Sequence, residues 1–253
     1  MIRTSEIQLY VSVLKTMEDQ VAEQSVLGIV PARGGSKGIP GKNIRQLAGK
    51  PLLAHTAIAA KKSTYLSRIL LTTDDAEIAR VGKQAGLEVP FIRPAELALD
   101  STPMIDVVLH VLQWVRERGE RYDAICLLQP TSPLRSGETI DRCIRSLWHR
   151  GVDTVVSVRP VPHEYNPYWV FVETGEGLLE RSVRDREISC RQQLPNAYRC
   201  DGGVYVVRTP VIIENHALYG QTTLGVTSPE SEAFDLDTEE QWIALERSLR
   251  SEP

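Results

Sequence analysis

Short runs of β-branched and aliphatic residues alternate with longer stretches of helical periodicity along the first 160 residues of the chain. The apolar runs predict strands at residues 26–31, 68–73, 88–92, 123–128 and 153–158. Helices are predicted between them at residues 51–62, 75–85, 103–118 and 137–149. This alternation is typical of an α/β fold with a mostly parallel sheet.

The helix predicted at residues 103–118 has the clearest pattern. Its apolar positions recur at intervals of three and four residues, as Ile105, Val108, Leu109, Leu112 and Val115. This spacing places them on one face, so we assign them to the core and give them no chemistry. Ser101 or Thr102 is expected to cap the helix ahead of Pro103.

The alternation ends after residue 160. The stretch "PVPHEYNPYWVFVETGEG" is rich in proline and aromatic residues and predicts a loop followed by a short strand and turn. A strand is expected at residues 202–209 and a last helix at residues 238–250, capped at Thr238. We interpret residues from about 160 to 200 as a lid or a subunit-contact lobe inside one domain of residues 26–253.

The first 25 residues form a weakly amphipathic helical pattern outside the α/β alternation. We interpret them as an N-terminal appendage, with Met17 as an alternative start.

Composition indicates an ordinary globular protein. The 253 residues are 42% hydrophobic and 25% charged, and no apolar stretch is long enough to span a membrane. Acidic residues near the N-terminus argue against a signal peptide, so we expect a cytoplasmic protein. The four cysteines form no C-x-x-C pair and the histidines no H-x-x-x-H pair, which argues against a zinc site or a disulfide framework.

Charge is unevenly distributed along the chain. The net charge of −4 argues against a general nucleic-acid binder. Residues 26–73 nevertheless contain eight Lys and Arg residues and no acid, whereas residues 228–253 contain eight acids and two arginines. The first region is therefore suited to bind an anion, and the second to bind a cation.

The glycine-rich stretch "PARGGSKGIPGKN", residues 31–43, follows the first predicted strand. Glycines after a strand let backbone N–H groups approach phosphates. It is not a Walker A loop, because five residues separate Gly35 from Gly41 and Lys42 precedes Asn43 instead of Ser or Thr. It is not a dinucleotide fingerprint either, because the next helix starts only near residue 52. A long loop with cations at Arg33, Lys37 and Lys42 remains, which suits a triphosphate that is cleaved between its α and β phosphorus atoms.

Five motifs extend this interpretation. The stretches "PARGGSKGIPGKN", "RPAEL", "LLQPTSPLR", "RQQLPNAYR" and "FDLDT", in this order, resemble those of the acylneuraminate cytidylyltransferases. The resemblance covers residues 26–250. It implies a Rossmann-like nucleotide-diphospho-sugar transferase fold and a homodimer in which a small lobe of each chain reaches its neighbour. It also implies magnesium-dependent transfer of CMP from CTP to the C2 hydroxyl of a nine-carbon 2-keto acid sugar, with release of pyrophosphate.

The resemblance assigns a nucleotide side. Arg33 and Lys42 match the catalytic, triphosphate-binding cations, with Lys37 and Asn43 in the same loop. Arg93, together with the segment containing Asp100, Ser101 and Thr102, matches the part that recognises cytosine.

The resemblance also assigns a sugar side and a metal site. Gln129, Arg191, Arg199, Tyr205 and Tyr219 match positions beside the sugar, and Asp235 and Asp237 match the magnesium ligands. Two aspartates in a D-x-D on an extended segment point to one face, and carboxylate oxygens are what Mg²⁺ prefers. The acceptor carries a carboxylate of its own, for which the arginine fork of Arg191 or Arg199 is the candidate partner.

Two departures concern the acceptor. Asp201 stands in "RCDGGVY", where members acting on sialic acid tend to have Asn, and the aromatic pair of those members aligns with Leu218 and Tyr219. We interpret these departures as an altered acceptor pocket, which suggests a different nine-carbon sugar such as legionaminic, pseudaminic or deaminated sialic acid. The expected acceptor is a nonulosonic acid, and sialic acid itself stays among the candidates. The main alternative is a GTP- or UTP-dependent enzyme acting on a sugar 1-phosphate. A non-catalytic nucleotide-binding module is less favoured, because Lys42 and both aspartates are present.

Overall fold

The computed structural model describes residue 21, residues 23–232 and residues 234–251. Residues 250 and 251 are described by their backbone only. Nearly all of the appendage predicted for residues 1–25, including Met17, lies outside the described residues. No helix in the described part of the chain combines the length and the apolar content that a bilayer crossing requires.

Ten strands and six helices are described. The strands are β1 (Val26–Pro31), β2 (Gln46–Leu47), β3 (Lys50–Pro51), β4 (Arg68–Thr72), β5 (Ala124–Leu127), β6 (Thr154–Pro160), β7 (Phe171–Glu173), β8 (Leu179–Arg181), β9 (Tyr198–Arg208) and β10 (Thr223–Thr227). The helices are α1 (Leu52–Lys62), α2 (Ala76–Gln84), α3 (Met104–Arg116), α4 (Gly137–His149), α5 (Thr209–Asn215) and α6 (Glu239–Ser251).

Six strands form the central sheet, in the order β10-β6-β9-β5-β1-β4. β1 pairs in parallel with β4 and β5, and β6 pairs in parallel with β10. β9 is antiparallel to both β5 and β6. The predicted α/β fold with a mostly parallel sheet is confirmed.

Helices cover both faces of the sheet, which explains why β1 and β5 are buried at every position. Along β1, Leu27 and Ile29 pack with α3 and α5, whereas Val26 and Val30 pack with α1, α2 and α4. Because alternate side chains of a strand point to opposite faces, a single apolar run supplies two cores.

A third and smaller core, the C-terminal cluster, lies outside the sheet. It consists of Ile39, Leu47, Leu52, Leu236, Trp242 and Leu245, each at most 1% exposed. Its members come from both ends of the described chain. The cluster therefore fixes α6 and the segment before it against the loop that follows β1.

Helix ends follow the expected capping chemistry in some places but not in others. Asp75 caps α2 by accepting from the backbone N–H groups of Glu77 and Ile78, and Ser136 caps α4 by accepting from Thr139. The cap predicted for α3 is wrong, because its first turn has no side-chain cap and the Thr102 hydroxyl instead donates to the Glu96 carbonyl at 3.0 Å.

Several boundaries differ from the predictions. The strand predicted at residues 88–92 is wrong: only Glu88 forms an isolated bridge, to Leu70. α5 and β10 were not predicted. β10 reads "TLGVT" and is partly exposed, so its apolar pattern is too weak to be recognised without the parallel pairing with β6.

Residues 161–197 connect β6 to β9 and contain the hairpin of β7 and β8. Large apolar side chains are exposed there: Tyr165, Phe171, Val172, Leu178 and Leu179 are 50–66% exposed. Patches of this kind on a chain otherwise well packed are typical of contact surfaces. The predicted lid or subunit-contact role of this lobe remains a prediction.

Candidate active site

A cleft of about 380 Å³ opens beside the carboxyl ends of β1 and β5. This is where open α/β sheets bind ligands. It is lined by Pro31, Arg33, Ser36, Lys37, Gly38, Lys42, Asn43, Arg93, Leu97, Leu99, Asp100, Thr102, Met104, Val107, Gln129, Pro130, Thr131 and Asp237. A second cavity of about 450 Å³ lies at the opposite end of the sheet, around Trp148 and Arg208, and none of the predicted site residues lines it.

Lys42 and Asp237, 195 positions apart in sequence, meet in this cleft. The Lys42 Nζ donates to the Leu236 carbonyl at 2.8 Å and lies 3.3 Å from Asp237 Oδ1. The Lys42 side chain is only 14% exposed, so its charge is partly shielded from water. The structure thus brings the cationic region, residues 26–73, into contact with the acidic region, residues 228–253.

The loop between β1 and β2, residues 32–45, is the cationic loop, and glycine allows its close approach to the acidic segment. A Cβ atom at Gly38 would lie 2.5 Å from the Asp237 carbonyl oxygen, closer than a real contact permits. Gly41 has φ of +65°, in the region that favours glycine. The loop also binds α6 directly: Arg45 forms two hydrogen bonds of 2.6 Å to Glu239 and stacks on Trp242, 4.5 Å from the ring centroid.

Asn43 holds the shape of the cationic loop. Its side chain is buried and donates to the Arg33 carbonyl at 3.0 Å, while its own carbonyl accepts from the Leu53 N–H at 3.0 Å. It thereby ties the base of the loop to α1. Arg33 and Lys37 lie at the mouth, where both pair with Asp100.

Arg93 lies deeper, at the wall predicted to receive the base. Its side chain is 3% exposed, its backbone N–H donates to the Thr73 carbonyl at 2.7 Å, and its guanidinium is 3.5 Å from Asp74 Oδ1. Burial lowers the pKa of this guanidinium, although the Asp74 charge acts in the opposite direction. Thr102 also lines the cleft, but Ser101 is exposed and is not among the lining residues.

Asp235 and Asp237 flank Leu236, which is fully buried in the C-terminal cluster and donates its N–H to the Thr131 carbonyl at 2.9 Å. Asp237 lines the cleft. Asp235 is half-buried, and its Oδ1 is a buried atom with no hydrogen-bond partner among the described residues. Burial and the neighbouring Asp237 raise the pKa of Asp235, while the Lys42 and Arg199 charges lower it.

These two aspartates fit a magnesium ion that is also held by phosphates. A cation would satisfy the orphaned oxygen of Asp235 and relieve the repulsion between the carboxylates. Magnesium is usually bound by one or two carboxylates plus substrate phosphates. No group of three or more His, Cys, Asp or Glu side chains that could hold a metal is found within the described ranges.

Gln129 lines the cleft, and Arg135 binds its backbone carbonyl. Arg135 is fully buried and donates to the carbonyls of Gln129 and Gly203 and, at 3.0 Å, to the Thr56 hydroxyl. Burial lowers its pKa to about 10, so it stays charged at neutral pH. Sequence reasoning missed this residue: "LLQPTSPLR" contains it, but nothing in the sequence alone distinguishes a buried arginine from a surface one.

Four predicted sugar-side residues lie outside the cleft. Arg191 is exposed on a short turn beside residues 160–163, and Arg199 lies near Arg159 and Glu230. Tyr205 and Tyr219 meet edge to face, with ring centroids 6.3 Å apart. Of the four, Arg199 and Tyr205 are close enough to Asp235 for electrostatic interaction, whereas Arg191 lies in a separate depression.

Asp201 does not line the cleft, and its side chain is buried. Its buried carboxylate accepts from the Ser157 hydroxyl, the Gly203 N–H at 2.9 Å and the Ser228 hydroxyl at 2.5 Å. The Asp201 carboxylate therefore accepts hydrogen bonds within the chain, beside the irregular pairing of β6 and β9. Tyr219, 49% exposed, remains available to the acceptor side, with its hydroxyl 3.5 Å from the Cys200 sulfur.

Comparisons with known proteins identify the family of this chain. The sequence model of the cytidylyltransferase family matches residues 27–186. The chain is 37% identical to a CMP-N,N'-diacetyllegionaminic acid synthase from Legionella pneumophila, over 88% of this chain and 96% of that protein. It is 26% identical to a pseudaminic acid cytidylyltransferase from Campylobacter jejuni, over 84% and 90%.

A solved structure shows the same fold at low identity. It is a CMP:2-keto-3-deoxy-manno-octonic acid synthetase complexed with CTP, with a TM-score of 0.67 and 15% identity, over 90% of this chain and all of that one.

Proposed function

Because the chain belongs to the cytidylyltransferase family, we propose that it transfers CMP from CTP to the C2 hydroxyl of a nonulosonic acid and releases pyrophosphate. The observation that carries the proposal is the meeting of Lys42 with Asp237 in one cleft at the carboxyl end of β1. That arrangement supplies both the cation for a phosphate and the carboxylates for its metal.

The chemistry is an in-line displacement. The acceptor oxygen forms a bond to the α-phosphorus while the bond from that phosphorus to the bridging oxygen of the β-phosphate breaks, and the hydroxyl proton leaves to a base that we do not assign. Such transfers are governed by positioning and by neutralisation of the charge on the phosphoryl oxygens.

The cationic loop supplies that neutralisation. We assign the α-phosphate to Lys42, which is shielded and fixed by the Leu236 carbonyl, and the β- and γ-phosphates to Arg33 and Lys37 at the mouth. Asn43 keeps Arg33 in position through the backbone. A magnesium ion on Asp235 and Asp237 would neutralise further phosphate charge and orient the triphosphate.

Base recognition is assigned to the other wall. Arg93 and Thr102 lie there, and the rigid backbone from Pro94 to Thr102 can present hydrogen-bonding groups to the edge of a cytosine. We assign Gln129, which lines the cleft and whose carbonyl accepts from Arg135, to contact with the sugar.

The acceptor site is assigned to Arg199, Tyr205 and Tyr219, with Arg191 further out. The exposed apolar lobe at residues 161–197 fits a contact with a second copy of the chain, so we propose a homodimer whose interface lies beside the acceptor site. We place the reaction in the cytoplasm, where CTP is available.

Release of pyrophosphate tests the proposal. CTP, GTP and UTP are each combined with legionaminic, pseudaminic and sialic acids and with a hexosamine 1-phosphate, with and without Mg²⁺. We expect release only with CTP, a nonulosonic acid and Mg²⁺. Release with GTP or UTP and the hexosamine phosphate, but not with CTP, would contradict the proposal.

A further inference from the structure

One carboxylate lies among the phosphate-binding cations. Asp100 Oδ1 is 2.5 Å from the Arg33 guanidinium, and Asp100 Oδ2 contacts the Lys37 ammonium. Each oxygen therefore pairs with a different cation, and all three side chains line the cleft. Two cations sharing one bidentate anion resemble the arrangement that they would form around a phosphate group.

These ion pairs are easily exchanged. Lys37 is 80% exposed, Asp100 41% and Arg33 33%, so water and salt weaken both contacts. A triphosphate carries several negative charges and many acceptor oxygens, so it binds Arg33 and Lys37 more strongly than a single carboxylate does and displaces it. Lys37 and Arg33 hold the pKa of Asp100 below its ordinary value. The carboxylate is therefore charged at neutral pH and competes there with phosphate for the two cations.

The Asp100 carboxylate is not needed to shape its own segment. The turn is fixed by the Leu97 N–H to Pro94 carbonyl bond, the Thr102 N–H to Leu99 carbonyl bond and the Thr102 hydroxyl to Glu96 carbonyl bond. In the part of the chain that the structure describes, the hydrogen bonds and ion pairs of this carboxylate go to the cationic loop.

We infer that Asp100 is an internal competitor of phosphate: it occupies Arg33 and Lys37 when the cleft is empty, yields to the triphosphate on entry, and returns when pyrophosphate leaves. This inference rests on the proposed function, because it takes the loop cations as the triphosphate site. Asp100 thus weakens binding of substrate and product alike, which keeps the pyrophosphate from remaining on the loop.

Calorimetry of the full chain with inorganic triphosphate and with CTP tests the inference. Asp100→Asn keeps the shape of the side chain and removes the competing charge. We expect it to bind both probes about three- to tenfold more tightly than the wild type in low salt, the range that two exposed ion pairs support. The gain should shrink in 0.5 M salt, where the Debye length falls to about 4 Å and charges are screened from one another.

Two controls separate local competition from a general charge effect. Glu96→Gln removes the same charge from the same segment, and its affinity should stay within about twofold of the wild type. In an Arg33→Met/Lys37→Met background, Asp100→Asn should bring no gain, because its partners are gone.

The outcomes distinguish this inference from the proposed function. Unchanged or weaker binding by Asp100→Asn, or an equal gain in the background that lacks both cations, overturns the inference alone. Failure of the wild type to bind triphosphate and CTP, or binding that ignores the loss of Arg33 and Lys37, overturns the proposed function and the inference with it.

Discussion

The regions that we propose as the nucleotide side and the acceptor side of this site are built differently. On the nucleotide side, Lys42, Asn43 and Arg93 are shielded, and the cationic loop is joined to α6 by the Arg45 to Glu239 pair and by the C-terminal cluster. On the acceptor side, Arg191 and Tyr219 are exposed and the neighbouring lobe presents apolar side chains to solvent. The region to which we assign phosphate binding is preorganised within one chain, whereas the region to which we assign the sugar is more exposed and lies beside an apolar surface.

Loss of Lys42 is the strongest way to break the nucleotide side. Lys42→Met removes the shielded charge assigned to the α-phosphate, and we expect kcat to fall about 10³-fold, as for other preorganised electrostatic groups. Steady-state kinetics of pyrophosphate release measure this. Lys50→Met, a lysine on β3 outside the cleft, is the control, and a Lys42→Met enzyme as active as Lys50→Met would contradict the role.

Asp235 tests the metal segment next. Asp235→Asn removes one of two carboxylates assigned to magnesium, so we expect kcat to fall about 10²-fold and the Mg²⁺ concentration for half-maximal activity to rise. Magnesium titrations of the wild type, Asp235→Asn and Glu240→Gln make the comparison, since Glu240 is an exposed acid on the first turn of α6. An unaltered magnesium requirement in Asp235→Asn would argue against the assignment.

Gly38 tests whether close packing is what makes the nucleotide side effective. In Gly38→Ala the new methyl group would meet the Asp237 carbonyl, so loop and acidic segment must separate, and we expect kcat to fall about tenfold. Gly35→Ala is a matched control because nothing lies within 4 Å of its Cβ position. Equal activity of the two variants would show that the close contact between Gly38 and the Asp237 carbonyl is not important for catalysis.

Arg199 sharpens the acceptor side, with the smallest effect. Its charge reaches Asp235, whereas Arg191 lies in a separate depression, so Arg199 is the better candidate for the carboxylate of the sugar. We expect Arg199→Met to raise KM for the acceptor about fivefold and to leave KM for CTP unchanged. Initial rates with each substrate varied measure both constants. A larger acceptor effect in Arg191→Met would reverse the assignment.

The sequence predicted the fold where one pattern dominated. β1 and α4 have the predicted bounds, because a buried parallel strand is a continuous apolar run and α4 begins at a serine cap. β10 and α5 depend on neighbours that the sequence does not show. The Leu70 to Glu88 bridge ends after one pair, so apolar character at residues 88–92 did not make a strand.

The site was predictable where glycine and charge coincide in one segment, as in the cationic loop. It was not predictable where residues act through contacts with distant ones. Arg135 looks like any arginine until its three acceptors are seen, and the contacts of the Asp201 carboxylate with Ser157, Ser228 and Gly203 become visible only in the structure. Asp100 likewise lies in the motif that we assign to base recognition, but its carboxylate contacts Arg33 and Lys37, the cations that we assign to phosphate.

The C-terminal cluster has a consequence for synthesis on the ribosome. Ile39, Leu47 and Leu52 are made early, but the side chains that cover them, Leu236, Trp242 and Leu245, are made some two hundred residues later. Until translation reaches that point, Lys42 lacks its contact with Asp237. The cationic loop therefore acquires its packing and this ion pair only after residues 236 to 245 have been translated.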